Sequence, residues 1–436
     1  MKKIVVAGAG IGGLVAAINL AKKGFDITIY ESKDRSELGH DWCDTVYKPS
    51  FPEAGIPLPT PEHFTPYRVM SCRGPKKNIK VVAKRSDRIF EEVAYIDRKF
   101  LAEYLADLAE KNGVKFIFGV RVLSPVIENG FVTGLKVLLY GKEKEIRADL
   151  VIDAAGIDSP VRKNLPKSFG IENEVKAEET LFTYRAYFAR KSDEVTDPRY
   201  NTYFYHCRRA SIDWVITEDE HIDVLVTGFG SLTKSAIEAA VADFQKDYPY
   251  IDTDKILRGG TTSRIPLRKS LPLFVGNGYA AVGDSAIMIE PLSGSGVRLS
   301  FGGGKILADT VTEIDGKYSL EKLWKYQYRY FKECGEDQIS VDIIKSVLTS
   351  IDADDMDYLF ETEVLGAKEF AETGSAKYTA NELLQKVAAI AKRPKLLKPL
   401  ANAGMSIINS TLACNAMPEN YSVQAVENWI KLYKKI

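Results

Sequence analysis

The first thirty residues switch between two hydrophobic periods. The β-branched run "KIVVAG" predicts a buried strand, "LVAAINLAKKG" carries a helical pattern that stops on Gly24, and "DITIYE" returns to strand. Gly8, Gly10, Gly12 and Gly13 interrupt the apolar run over residues 4–21, which excludes a spanning helix or secretion signal there. The pattern predicts a strand–helix–strand unit. Further on, "YIDRKFLAEYLADLAEKNG" puts Phe100, Leu101, Tyr104, Leu105 and Leu108 on one helical face. Strands "VKFIFGVRV" and "ADLVIDAAG" follow, with a hairpin predicted at Asn129-Gly130.

Two stretches depart from this alternation. The segment after Glu31, with six prolines between Pro49 and Pro66, fits no regular element and predicts a loop covering a site. Residues 175–267 read mostly as strand, with one helix at "KSAIEAAVADFQKDY". The expected organisation is therefore a discontinuous nucleotide-binding domain, residues 1–174 and 268–318, interrupted by a sheet domain at 175–267 and followed by helices over 319–436.

The glycines bring the first chemistry. Gly8, Gly10 and Gly13 form G-x-G-x-x-G between a strand and a helix. Gly8 permits the turn, Gly10 lets backbone approach a pyrophosphate, and Gly13 lets the helix pack on the strand; Ala9, Ile11 and Gly12 belong to the same loop. Glu31 ends the next strand, where a carboxylate can accept ribose hydroxyls. These residues predict dinucleotide binding without separating FAD from NAD(P). A second strand ends in Gly283-Asp284, and "LSGSG", from Leu292 through Gly294, Ser295 and Gly296, opens another helix. Asp284 can hold a sugar or ribityl hydroxyl, and open amides at that helix start can meet a flavin carbonyl or a phosphate.

Composition narrows the classes. With 436 residues, two or three domains are expected, and 59 basic against 59 acidic residues excludes a field directed at nucleic acid. Cys43, Cys72, Cys207, Cys334 and Cys414, and the four histidines His40, His63, His206 and His221, show no metal-ligand or disulfide spacing. No metal is expected, and the cysteine usage fits a reducing cytoplasm.

Together the N-terminal glycine motif with Glu31, "DAAGIDSPVR" at Asp153 to Arg162, and "AVGDSAIMIEPLSGSG" resemble the three fingerprints of the flavoprotein superfamily that includes aromatic hydroxylases and geranylgeranyl reductases. "GDSAIMIEPLSGSGVRLSF" is more similar to the geranylgeranyl reductases. The resemblance implies an α/β fold: a Rossmann-like FAD-binding domain of ββα layers, an inserted antiparallel substrate sheet and a C-terminal helical region. It implies extended FAD, with Gly283 and Asp284 at the ribityl and phosphate region and Leu292 to Gly296 beside the isoalloxazine. Arg98 is implied near the flavin or pyrophosphate, and Val122 at the adenine through its backbone. Ala155 stands where the middle fingerprint has an acid, so that role is absent or passes to Asp158. Trp214 keeps the tryptophan of the family's Y-x-W-x-F-P segment, while Ile216-Thr217 replaces its Phe-Pro.

Cys43, 12 residues after Glu31, falls where the family has a cysteine and is the candidate proton donor. The aromatic strands "LFTYRAYFA" and "TYFYHC" suit an apolar tunnel for a long substrate, with Trp214, Tyr203 and Tyr205 as candidate binding residues. Residues 386–436 carry eight basic and two acidic residues, compatible with peripheral contact with a membrane. The expected activity is reduction of isoprenoid carbon–carbon double bonds by hydride from reduced FAD. The alternatives are a flavin-dependent aromatic monooxygenase and an electron-transfer flavoprotein serving a protein or quinone. NAD(P)H, ferredoxin or another redox partner protein remain open as electron donor.

Overall fold

The computed structural model describes residues 2–371 and 379–436. Its N-terminal sheet has six strands in the order Val275–Gly276, Tyr279–Ala281, Leu150–Asp153, Lys3–Ala7, Asp26–Tyr30 and Lys115–Ile117. Lys3–Ala7 runs parallel to both neighbours, with Val5 beside Val151 and Thr28. Ile4, Val5 and Val6 are fully buried, as a central parallel strand covered on both faces must be. Helices Ile11–Ala21 and Arg98–Lys111 pack together, and a three-stranded antiparallel sheet, Arg121–Glu128, Phe131–Leu139 and Lys142–Arg147, contributes Val132, Leu135 and Val137 to the same core. Asn129 and Gly130 both adopt positive φ, 49° and 75°, in the predicted hairpin turn.

The second large sheet has seven strands, ordered Ile251–Pro266, Thr180–Arg190, Ile222–Phe229, Ile212–Thr217, Tyr200–Phe204, Val69–Arg73 and Lys80–Lys84. The last two come from outside the expected 175–267 boundary. Cys43–Tyr47, expected to be loop, is a strand paired antiparallel with Val93–Asp97. Both departures have one cause: five-residue strands carry little periodicity, and Cys43–Tyr47 and Val69–Arg73 join their sheets through Val93–Asp97 and Tyr200–Phe204, partners remote in sequence.

Helix Lys234–Asp247 covers one face of this sheet over Ala186, Phe188, Tyr203, Val224 and Val226. The other face turns toward Cys43. The C-terminal region is helical as expected, from Leu320–Tyr330 to Val423–Tyr433, and the part of that expectation at 372–378 lies outside the described residues. Trp324, Tyr326, Tyr330 and Trp429 join the core of the N-terminal sheet. Among the described residues no helix is long and apolar enough to cross a membrane.

Candidate active site

Three backbone segments meet at the glycine loop. Gly8 has φ +84°, and a Cβ there or at Gly10 would lie 2.7 or 2.6 Å from the Ala154 carbonyl oxygen. The close approach that demands glycine at position 10 is thus made by the chain after Leu150–Asp153. At Gly13 a Cβ would stand 2.5 Å from the Ala154 Cβ and 3.0 Å from Val6 Cγ1, so this glycine does set helix against strand. Glu31 braces the loop: Oε2 accepts from the Ala9 N–H at 2.7 Å and Oε1 from the Lys33 N–H at 2.9 Å.

Helix Ile11–Ala21 begins without a side-chain cap and without an acid in its first turn, which leaves its first N–H groups pointing out of the helix with the positive end of its dipole. Helix Val297–Thr312 begins at Gly296 in the same uncapped way. Both starts lie beside residues 283–284, a Cβ on Gly296 being 3.4 Å from Asp284 Oδ1, and glycines let the first helix's start pack against the middle of the second. A Cβ on Gly304 would be 2.5 Å from the Gly12 carbonyl, and one on Gly12 would be 2.7 Å from Val282 Cγ2 and 3.2 Å from the Gly283 nitrogen. Gly283 and Asp284 therefore sit against the first helix's N-terminus.

Asp284 has protein packed around it yet keeps accessible surface, and among the described residues no group hydrogen-bonds its carboxylate. Burial pushes its pKa above the ordinary value, with Arg98 acting in the opposite sense. Two uncapped helix starts beside an unpartnered acid match the needs of a diphosphate joined to polyhydroxyl chains, so the residues present fit FAD. Gly8 to Gly13, Gly283 and Asp284 would hold it. In the loop before the second helix, Glu290 already takes the Leu292 and Ser293 N–H groups at 3.3 and 2.6 Å, and Ser295 Oγ donates to the Thr45 carbonyl at 3.4 Å. Gly294 has φ +73°, and Gly296 lies close to Asp284. Val122 is buried in Arg121–Glu128 opposite Val137.

An acid the sequence reading passed over organises the middle fingerprint. Asp153, fully buried, accepts from Ala155 N–H, Ser285 Oγ, Ser159 Oγ and Tyr279 Oη at 2.5–3.1 Å. Asp158 takes no such role: it lies at the surface and pairs with Lys163 and Arg264, both at 2.5 Å.

Cys43 begins a strand of the three-stranded sheet Cys43–Tyr47, Val93–Asp97 and Thr65–Pro66, and it meets the seven-stranded sheet there. Its N–H donates to Tyr187 Oη at 2.7 Å and its carbonyl accepts from Arg185 Nη1 at 2.5 Å. Arg185 in turn grips Asp223 through Nε at 2.9 Å and Nη2 at 2.5 Å, both residues being buried. Arg98, expected at the flavin, pairs with Asp44 at 2.5 Å, and its charge also reaches Asp284 and His40. Desolvation, reinforced by Asp97, raises the Cys43 thiol to about 11.

Strand parity sorts the aromatic candidates. Trp214 pairs with Leu225 and Leu225 with Arg185, so Trp214, Arg185 and Tyr187 share the face toward Cys43, and Trp214 lies 5.0 Å from the Arg185 guanidinium. Its indole N–H is buried without a partner among the described residues. Tyr203 points to the opposite face, into the core under Lys234–Asp247, with its hydroxyl 2.7 Å from that of Tyr248. Tyr205 is an anchor: its hydroxyl donates to Leu348 and Ile351 carbonyls at 2.8 and 2.9 Å. Neither belongs with Trp214, and the face toward Cys43 mixes aromatics with charge instead of forming a uniformly apolar wall.

Away from this site, His206, Cys207 and Asp243 bring potential ligand atoms within 4.8 Å of one another, a grouping invisible in the sequence spacing. Both His206 nitrogens are already engaged, Nδ1 by Asp213 at 3.0 Å and Nε2 by Asp243 at 2.9 Å, and Lys77 pairs with Asp243.

Residues 87–310 match the family described as FAD dependent oxidoreductase, and residues 6–42 the NAD(P)-binding Rossmann-like domain. The chain is 24 % identical over 410 residues to the digeranylgeranylglycerophospholipid reductase of Sulfolobus acidocaldarius, covering 90 % of this chain and 88 % of that one. It is 26 % identical over 374 residues to the digeranylgeranylglycerophospholipid reductase of Methanosarcina acetivorans, covering 82 % and 88 %. In fold it resembles the crystal structure of a geranylgeranyl bacteriochlorophyll reductase-like protein from Thermoplasma acidophilum, with TM-score 0.74 at 20 % identity over 92 % of this chain and 99 % of that one. A flavin-dependent brominase follows the same fold at TM-score 0.59 and 15 % identity, over 89 % of this chain and 93 % of that one. The match over 87–310 spans more than half of the chain and takes in Asp284: this protein belongs to the FAD dependent oxidoreductase family.

Proposed function

We propose that this chain reduces carbon–carbon double bonds in a geranylgeranyl-type isoprenoid chain carried on a lipid. The observation that carries the reading is the similarity, over more than four-fifths of both chains, to proteins named digeranylgeranylglycerophospholipid reductase. FAD, when bound and reduced, supplies the hydride. An unactivated alkene also needs a proton on the carbon that the hydride does not reach, and Cys43 is the donor. With its pKa near 11 the thiol holds that proton at neutral pH, and Arg185 and Arg258 favour the thiolate once the proton has left. The thiolate then recovers a proton from water.

The remaining residues position. Tyr187 and Arg185 fix the Cys43 backbone, Trp214 borders the same space, and Glu31, Arg98 and Val122 belong to the FAD-binding set with the glycine loop and residues 283–296. All five cysteines are free thiols, and the reading places the protein in a reducing cytoplasm, meeting the membrane peripherally where its lipid resides. NAD(P)H, ferredoxin or another redox partner protein serves as electron donor, and rates of flavin reduction with each will assign it.

The test is anaerobic. Holoprotein reduced with dithionite is mixed with a geranylgeranyl lipid while flavin absorbance and product mass are followed. Flavin reoxidation with a gain of two hydrogens per double bond is expected. Reoxidation only on admission of oxygen would overturn the reading in favour of a monooxygenase or an electron-transfer protein.

A further inference from the structure

The helices Ala380–Ala391 and Pro394–Ala416 carry an apolar surface that the other described residues leave open. Of the fifteen large apolar side chains exposed among the described residues, eight lie in residues 384–423, about a tenth of the chain, at 51–68 % exposure. Such a concentration is not the single scatter normal for a protein surface. Leu397, Met405, Ile408 and Leu412 follow one another at i, i+8, i+11 and i+15, so with Ala401 at i+4 they form one stripe along Pro394–Ala416. Leu396 and Ala413 of the same helix are buried on its other side. Leu384 and Val387 add two exposed positions one turn apart on the preceding helix.

Charge selects the occupant. Residues 383–418 contain five cations and no carboxylate. Arg393 and Lys395 are tied to Asp355 and Asp352 beneath the helix, whereas Lys392 and Lys398 are exposed and have no ion-pair partner among the described residues. Long lysine side chains can lay their methylenes along an apolar stripe and lift their ammonium groups to phosphates at its rim. A second copy of the chain fits less well, because a two-fold contact would bring the same lysines toward one another with no acid on the patch to neutralise them.

We propose that this face docks the protein on an anionic lipid bilayer, with Pro394–Ala416 lying in the plane of the interface. The inference rests on the lipid-reductase reading only for its purpose, which is to bring the site to its substrate.

Holoprotein is floated with phosphatidylcholine vesicles, with and without phosphatidylglycerol. Binding to the phosphatidylglycerol vesicles, weakened by salt, is expected. The variant Met405→Ser/Ile408→Ser/Leu412→Ser should lose flotation, and Lys392→Gln/Lys398→Gln should lose the preference for phosphatidylglycerol. Both should keep wild-type flavin content, circular dichroism and turnover of detergent-dispersed lipid. That turnover tests the reductase reading separately from flotation. Failure of the wild type to float, flotation of both variants like wild type, or light scattering that shows a dimer dissolved by the serine variant would each overturn the proposal.

Discussion

The hydroxyl of Tyr187 accepts the Cys43 N–H at 2.7 Å, joining two residues 144 positions apart. Arg185, two residues before Tyr187 and on the same strand face, holds the Cys43 carbonyl at 2.5 Å. Both backbone polar groups of Cys43 are thus held by one strand of the seven-stranded sheet. The candidate proton donor is fixed across the junction between its own three-stranded sheet and the seven-stranded one, and Asp223 anchors the device through its paired contacts with Arg185.

Removal of the thiol should damage the proton step alone. Cys43→Ala is expected to lower the single-turnover rate of lipid reduction by about 10²–10⁴-fold with an unchanged flavin spectrum. Because the thiol is raised to about 11, Cys43 should impose no loss of rate at the pH where an exposed thiol ionises, and its alkylation by iodoacetamide at pH 8 should be slower than that of a free peptide cysteine. Stopped-flow rates across pH and mass-spectrometric alkylation check the two statements.

Asp284→Asn should separate cofactor binding from stability. A carboxylate whose folded pKa is raised contributes stability below its unfolded pKa and loses it as pH rises through the folded value, so at neutral pH Asp284 destabilises the flavin-free protein. The amide should stabilise stripped protein by about 1 kcal/mol and weaken FAD binding, measured by thermal unfolding and by flavin titration.

The glycine loop makes a steric prediction. Gly10→Ala drives a Cβ to 2.6 Å from the Ala154 carbonyl and should reduce flavin per chain severalfold, read from the absorbance ratio of purified protein. Gly404→Ala, whose Cβ meets nothing within 4 Å in Pro394–Ala416, should leave flavin content unchanged and strengthen its helix by about 0.5–1 kcal/mol.

His206 should make stability fall on the alkaline side. Desolvation lowers the imidazole pKa, but hydrogen bonds and charge from Asp213 and Cys207 outweigh it and raise the value to about 9, above that of an unfolded chain. Its stabilising contribution is complete below pH 6.5 and disappears as pH rises through about 9, amounting to roughly 3 kcal/mol. Thermal unfolding between pH 6 and 10 should show this decline, and His206→Gln should flatten it.

Residues close in sequence were the legible ones. Strand, turn and helix follow one another within 21 residues, so the glycine motif declares itself through local periodicity. The family resemblance singles out Cys43, but nothing in "DWCDTV" announces a strand whose partner is Val93–Asp97. Tyr203 and Tyr205 looked like neighbours of Trp214 because composition carries no facing direction. The pairing of Thr202 with Trp214 sets that direction and sends Tyr203 to the opposite face.

What the sequence by itself determined is the dinucleotide-binding unit, since a βαβ glycine loop is specified by backbone freedom and hydrophobic period within one short segment. Only the tertiary structure decided the frame around Cys43, the four-donor seat of Asp153 and the open cationic face of the C-terminal helices. Hydrogen bonds and ion pairs of that kind join groups up to 144 residues apart, and their orientation depends on which faces the long-range strand pairings bring together.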